Sequence, residues 1–274
     1  MATISDGNTA KDLKNSMVTQ ENWSSFTKED HLRWSILFKC QSNLLKNRAA
    51  DEVLEGMKKL NICDNQIPKF SEINQILYQS TKFSVIPVAG MVEPKFFFQL
   101  LAERKFPSTC FIRSSEQMDY LQEPDIFHDV FGHVPLLVHP VFADLMQVFG
   151  QKGVEAVDLG LYDYAAALYW FTIEFGLIET SKGLKIYGSG ITSSKGESIY
   201  CLESKEPLRL QFHPIRAMKT KYKIDRYQKT YFVIRNYKEL LDFVYDLNWN
   251  HIFELLKVMP EIEEGIALSG DEIY

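Results

Sequence analysis

A mainly helical α+β domain, one compact body of helices with short β-strands, is the fold class this sequence predicts. Three observations point to it. Apolar residues recur at helical spacing through the first third of the chain, the β-branched runs are short and scattered, and no Gly/Ser/Pro-rich linker divides the 274 residues. Hydrophobic residues at 46% and charged residues at 24% match a protein that buries a substantial core. The boundaries read as a polar, mobile N-terminal tail at 1–20, one domain at 21–260 and an acidic C-terminal tail at 261–274.

Thr27, with Asp30 three residues on, starts the first helix, whose inner face is Leu32, Ile36, Leu37, Cys40 and Leu44. Val53, Leu54, Met57 and Leu60 mark a second, and Ser71 caps a third with Ile73, Ile76 and Leu77 on its inner stripe. Phe83–Val88 reads as a strand entering the Ala89-Gly90 turn, Pro94 opens a helix through Leu101, and Ser108–Arg113 reads as a second strand. Helices are expected from Pro140 to Gly150 and from Tyr162 to Phe175, the latter closed by Gly176. The glycine-rich segment Tyr187–Glu197 reads as a loop and Tyr231–Arg235 as a strand. Tyr237–Val258 reads as a last helix with Leu240, Leu241, Val244 and Leu247 inward.

Several functions are disfavoured. A formal charge of −6 without a dense Lys/Arg block does not suit nucleic acid. The polar start and the lack of a long apolar run argue against secretion and membrane insertion, so the protein is expected to be cytoplasmic. Four scattered cysteines without a Cys-x-x-Cys pair read as reduced structural thiols. Neither Gly-x-Gly-x-x-Gly nor a Walker loop is present, which disfavours nucleotide cofactors.

The informative stretch is Glu123-Pro-Asp-Ile-Phe-His-Asp-Val-Phe-Gly-His-Val-Pro135. Pro124 suits the first turn of a helix and Gly132 its end, placing His128 on the helix and His133 just beyond it. A continuous α-helix would set residues five apart about 140° from each other, too far around to share one ion. Glu174 lies in the apolar segment Tyr164-Ala-Ala-Ala-Leu-Tyr-Trp-Phe-Thr-Ile-Glu-Phe175, where an ionised carboxylate needs a cation or hydrogen bonds. Two imidazoles and a carboxylate suit a zinc hydrolase or a ferrous oxygenase. The missing His-Glu-x-x-His helix puts iron ahead while leaving both open.

That stretch, with Ile86-Pro-Val-Ala-Gly90, Tyr169-Trp-Phe-Thr-Ile-Glu-Phe-Gly-Leu177 and Tyr187-Gly-Ser-Gly-Ile-Thr-Ser-Ser-Lys-Gly-Glu197, resembles the pterin-dependent aromatic amino acid hydroxylases, closest to bacterial members acting on phenylalanine. The resemblance runs from about Trp23 to Leu256 and implies that family's catalytic fold. It implies Fe(II) held by His128, His133 and Glu174, a tetrahydropterin nearby, and conversion of L-phenylalanine to L-tyrosine with O2. Arg113 would grip the substrate carboxylate, with Pro124, Trp170, Phe175 and Ser193 on the substrate side. Gly90, Met91, Val92, Phe97, Asp129, Ala166 and Tyr169 match the pterin side, Phe97 as the stacking ring. Ile224 matches a position that is apolar in the members acting on phenylalanine, which favours that substrate over tyrosine, with tryptophan a further alternative. The length leaves no room for the regulatory and tetramerisation segments of the animal enzymes, so a monomer or small homo-oligomer is expected.

Overall fold

The computed structural model describes residues 18–118 and 123–274. Of the tail expected over 1–20, residues 1–17 lie outside the described residues. Val18 bridges Val88, and Thr19 N donates to Pro87 O at 3.0 Å.

Thr27 and Asp30 form a reciprocal capping box that starts α1 (Lys28–Leu45). Its buried face is Trp34, Leu37, Gln41 and Leu45, whereas Leu32 and Ile36, expected inward, are 60% and 51% exposed. The rotation follows the aromatic side chains, the largest apolar surfaces available. Trp34 meets Phe127 edge-on with centroids 5.4 Å apart, and Phe38 meets Phe131 at 5.5 Å. After α2 (Asp51–Lys59), α3 (Phe70–Thr81) begins one residue before Ser71, because the Glu21 carboxylate, and not the serine, accepts the Phe70 N–H at 2.7 Å.

β1 (Ser84–Val88), α4 (Pro94–Ala102) and β2 (Lys105–Thr109) form a parallel crossover, with Val88 opposite Thr109. The second strand therefore ends at Thr109, short of the expected Arg113, and the chain then turns to bring the Arg113 N–H onto Asp125 at 2.9 Å.

The helix expected to stop at Gly150 continues as α5 (Pro140–Asp158). Gly150 and Gly153 serve contact instead of termination. A Cβ at the first would stand 2.2 Å from Ala102 N and at the second 2.2 Å from Phe98 Cγ, so they admit α4 against α5.

α6 (Tyr162–Tyr169) passes directly into a π-helical turn, Trp170–Glu174, before β3 (Leu177–Thr180) and β4 (Gly183–Ile186). The expected loop at 187–197 is largely helical, comprising α7 (Ser189–Thr192) and the start of α8 (Lys195–Glu203), which Ser194 caps. β5 (Leu208–Gln211), α9 (Pro214–Lys219) and β6 (Thr230–Ile234) follow. The strands form a sheet of order β4-β3-β6-β5, antiparallel at β4-β3 and otherwise parallel.

The single helix expected at 237–258 is two, α10 (Tyr237–Asp246) and α11 (Trp249–Leu256), because the Asn248 side chain accepts the His251 N–H and starts a new helix. The acidic segment at 261–274 lies along β5. Gln211 N donates to Glu272 O at 2.9 Å, Tyr274 N donates to Arg209 O at 2.8 Å, and the buried Arg216 pairs with Asp271 at 3.2 Å.

One large apolar cluster, containing Trp34, Phe127, Phe131, Phe142, Leu168 and Tyr187, joins the helices to the sheet and surrounds the histidine-bearing turn. No helix among the described residues is long and apolar enough to cross a membrane.

Candidate metal centre

The histidines occupy a single π-helical turn, Phe127–His133, and not an α-helix ending at Gly132. A π turn bonds each residue to the fifth along the chain, so positions five apart return to nearly the same face. His128 and His133 thereby bring their Nε2 atoms within 3.3 Å, with the rings perpendicular at 89°. Pro124 lies before the turn, outside any helix. The fully buried Asp125 starts it by accepting the His128 N–H at 3.0 Å. Gly132 sits within the turn because a Cβ there would lie 2.8 Å from Ser189 O, where α7 crosses.

Glu174 arrives from the second π turn, closed by a 2.8 Å bond from Phe175 N to Trp170 O, instead of from one α-helix running to Phe175. Its Oε1 is 3.0 Å from His133 Nε2, and its Oε2 is 3.7 Å from His128 Nε2. The donor atoms of all three side chains lie within 4.8 Å of one another. Neighbouring donors at right angles around an ion with bonds of about 2.1 Å would stand about 3.0 Å apart, so this cluster approximates one face of a coordination polyhedron.

The protonation states suit a cation. Burial lowers the His128 imidazole to about 4, against the pull of the Glu174 charge, leaving it neutral. Burial opposes ionisation of Glu174, yet the His133 and His128 rings and Ser189 hold its carboxyl at about 2. Ser193 Oγ gives its proton to Ser189 O at 2.8 Å, so at 2.9 Å it accepts from His128 Nδ1. That tautomer leaves the Nε2 lone pair directed at the cluster. Ser189 Oγ donates to Glu174 Oε2 at 2.8 Å.

Arg113 is buried and its guanidinium forks onto Asp125, with Nε to Oδ2 and Nη2 to Oδ1 both 2.8 Å. Nη1 has no hydrogen-bond partner among the described residues. Arg113, Phe127 and Ser193 line a cavity of about 120 Å³ together with Gln41 and Met118. The half-buried Trp170 packs between Phe175 at 4.5 Å and Tyr222 at 4.6 Å, and donates Nε1–H to Gln228 Oε1 at 3.0 Å.

The residues matched to the pterin come from four places: the exit of β1, the histidine turn itself, α4 and α6. Gly90, Met91 and Val92 leave β1 where Val88 pairs with Thr109, whose N–H and hydroxyl donate to Asp129 Oδ2 at 2.8 and 3.0 Å. Burial pushes the Asp129 carboxyl up to about 7 despite those bonds. Met91 is exposed and space around Gly90 is open. Phe97 in α4 meets Tyr169 edge-on at 5.6 Å, with Ala166 half-buried in α6. The Tyr169 hydroxyl is buried without a hydrogen-bond partner among the described residues, and burial holds it far above the usual phenol range. Ser189, Tyr222 and Gln228 carry no site signal in the sequence, because the Glu174 and Trp170 side chains they meet lie on other elements; Asp125 adds its distant fork onto Arg113 to a local bond with His128 N.

A family model described as biopterin-dependent aromatic amino acid hydroxylase matches residues 13–254, and the chain belongs to that family. It is 43% identical over 270 residues to a phenylalanine-4-hydroxylase from Ralstonia nicotianae, covering 98% of this chain and 86% of the relative. A second relative of that description, from Chromobacterium violaceum, is 49% identical over 217 residues, 79% of this chain and 73% of the relative. The crystal structure of the Chromobacterium violaceum enzyme with iron and phenylalanine bound superimposes with a TM-score of 0.90 at 41% identity, covering 95% of this chain and 94% of that one. The same enzyme bound to cobalt gives 0.92 with both chains covered at 100%.

Proposed function

We propose that the protein is a phenylalanine 4-hydroxylase, forming L-tyrosine from L-phenylalanine and O2 with a tetrahydropterin and Fe(II). The convergence of His128, His133 and Glu174 within 4.8 Å carries the reading. The related iron-bound enzyme supports iron over the zinc hydrolase alternative. Bound at this site, the metal and reduced pterin supply the activation of O2.

The chain's own residues hold and orient. His128 and His133 would hold the iron through Nε2 and Glu174 through its carboxylate, a three-residue ligand set that leaves coordination positions for other groups. Asp125 anchors one edge of the Arg113 guanidinium, its Nε and Nη2, and so leaves Nη1 for the substrate carboxylate. Pro124 borders that anchor, and Trp170 with Phe175 forms an aromatic wall for the substrate ring. Ser193 serves twice, on the cavity wall and behind His128. Gly90, Met91 and Val92 supply backbone for the pterin, Phe97 a ring to stack on it, and Asp129, Ala166 and Tyr169 the cavity lining. Residues 21–260 are the catalytic domain of a cytoplasmic enzyme, a monomer or small homo-oligomer whose state gel filtration reads directly.

The deciding experiment measures tyrosine formed from L-phenylalanine with a reduced pterin and O2, in the wild type and Glu174→Ala, each loaded with Fe(II) or Zn(II). Activity confined to the ferrous wild type is expected. No tyrosine from the ferrous wild type, or equal activity in Glu174→Ala, sinks the reading.

A further inference from the structure

Gln228 is 2% exposed, and every hydrogen-bonding group of its side chain is engaged. Oε1 accepts the Trp170 indole N–H at 3.0 Å, while Nε2 donates to Lys223 O at 2.8 Å and Arg226 O at 3.2 Å. Reversing the amide would set its NH2 against the indole N–H and its oxygen against two carbonyls, so only one orientation satisfies the site. The backbone is held as well, since Gln228 N donates to Glu197 Oε1 at 3.0 Å and Tyr231 OH donates to the same oxygen.

The segment these bonds close, 222–228, folds back so that Tyr222 stacks on Trp170 with planes 20° apart. Tyr227 lies so close over Gly196 that a Cβ there would be 1.7 Å from its hydroxyl. Lys223 to Arg226 are exposed, and outside the indole the segment is held by the Arg226–Glu264 ion pair at 2.9 Å and by Tyr227 against Tyr200 at 5.2 Å. One buried glutamine ties it to the indole.

We propose that Gln228 is a positioning residue for the substrate ring, latching the 222–228 segment onto Trp170 and so setting the wall against which an aromatic side chain is selected. This rests on the reading of Trp170 as a wall of the substrate site. Without the latch the indole N–H loses its partner, and Trp170 and Tyr222 turn independently of each other.

The test compares wild type, Gln228→Met, Trp170→Phe and the double variant. Gln228→Met keeps length and removes both halves of the latch, whereas Trp170→Phe removes the same bond from the other end and leaves Gln228 intact. In the iron-loaded enzyme Gln228→Met is expected to raise KM for L-phenylalanine about tenfold and leave KM for the pterin within about twofold, with the double variant less than additive. In metal-free protein, tryptophan emission shifts to the red on Gln228→Met and fails to shift when the substitution is made in the Trp170→Phe background.

A normal KM for L-phenylalanine in Gln228→Met beside a raised one in Trp170→Phe overturns the latch alone. A normal KM in Trp170→Phe overturns the substrate-wall reading and the latch's role with it. Equal emission shifts in both backgrounds place the effect at another tryptophan and also overturn the proposal.

Discussion

His128 and His133 are five positions apart in sequence, and their Nε2 atoms are 3.3 Å apart in space. An α-helix would splay them and a helix ending between them would need the chain to double back. The wider π turn needs neither, and Gly132 permits it by letting Ser189 approach within a distance no side chain allows. Ser189 also holds Glu174, so one crossing of α7 organises all three donors.

Gly132→Ala therefore strikes the site through its backbone. The added methyl meets a backbone carbonyl that cannot swing away, costing about 1–3 kcal/mol of stability and separating the donors. Ferrous iron retained after dialysis should fall at least about tenfold. Undiminished iron retention together with an unchanged melting temperature would remove the glycine from this role.

Ser193→Ala leaves His128 in place but takes away the acceptor that selects its tautomer. Loss of such a partner typically costs about 10–100-fold in metal affinity or activity. Competition against a calibrated chelator reads it, and an affinity within about twofold of wild type would contradict the assignment.

Arg113→Lys retains the charge and forfeits the fork onto Asp125. A single ammonium cannot fork onto both Asp125 oxygens and also offer a separate directed donor. KM for L-phenylalanine is expected to rise more than about tenfold with KM for the pterin little changed. Parallel changes in both constants would point to general disruption instead of lost carboxylate binding.

Glu197 should leave a signature in stability against pH. Burial raises its carboxyl from 4.5 to about 7, opposed by the Tyr231 and Gln228 bonds. Between those values the folded protein binds a proton that the unfolded chain does not. Its contribution is therefore fully present below about pH 4.5 and lost as pH rises through about 7. Glu197→Gln stays neutral and should flatten the decline. Urea midpoints from pH 5 to about 8 with equal slopes in the two proteins would exclude this carboxyl as the cause.

Local chemistry was legible wherever the deciding partner lies close in sequence. Thr27 and Asp30 sit within one turn of each other and start α1 as expected, and β1, α4 and β6 fall within a residue or two of their sequence signals. Where the fold departs from local signals the cause is shared, a distant element claiming a residue whose own pattern is local. Gly150 resembles a helix stop until Ala102 occupies the space beside it, and Ser71 resembles a cap until Glu21 takes the Phe70 N–H. The buried face of α1 differs from the apolar stripe because Trp34 and Phe38 pack on rings that lie far along the chain.

The sequence by itself determined the donor set and the family. Ligand chemistry resides in side-chain identity, and Glu174 in an apolar helix already demands a cation or hydrogen bonds to offset its burial. Only the tertiary structure decided how the donors meet. Whether a turn closes after four residues or five depends on what crowds against it, here the backbone of Ser189 over Gly132, and that neighbour is supplied by folding. The latch from Gln228 to Trp170 belongs to the same category, a bond between residues 58 positions apart that no local pattern announces.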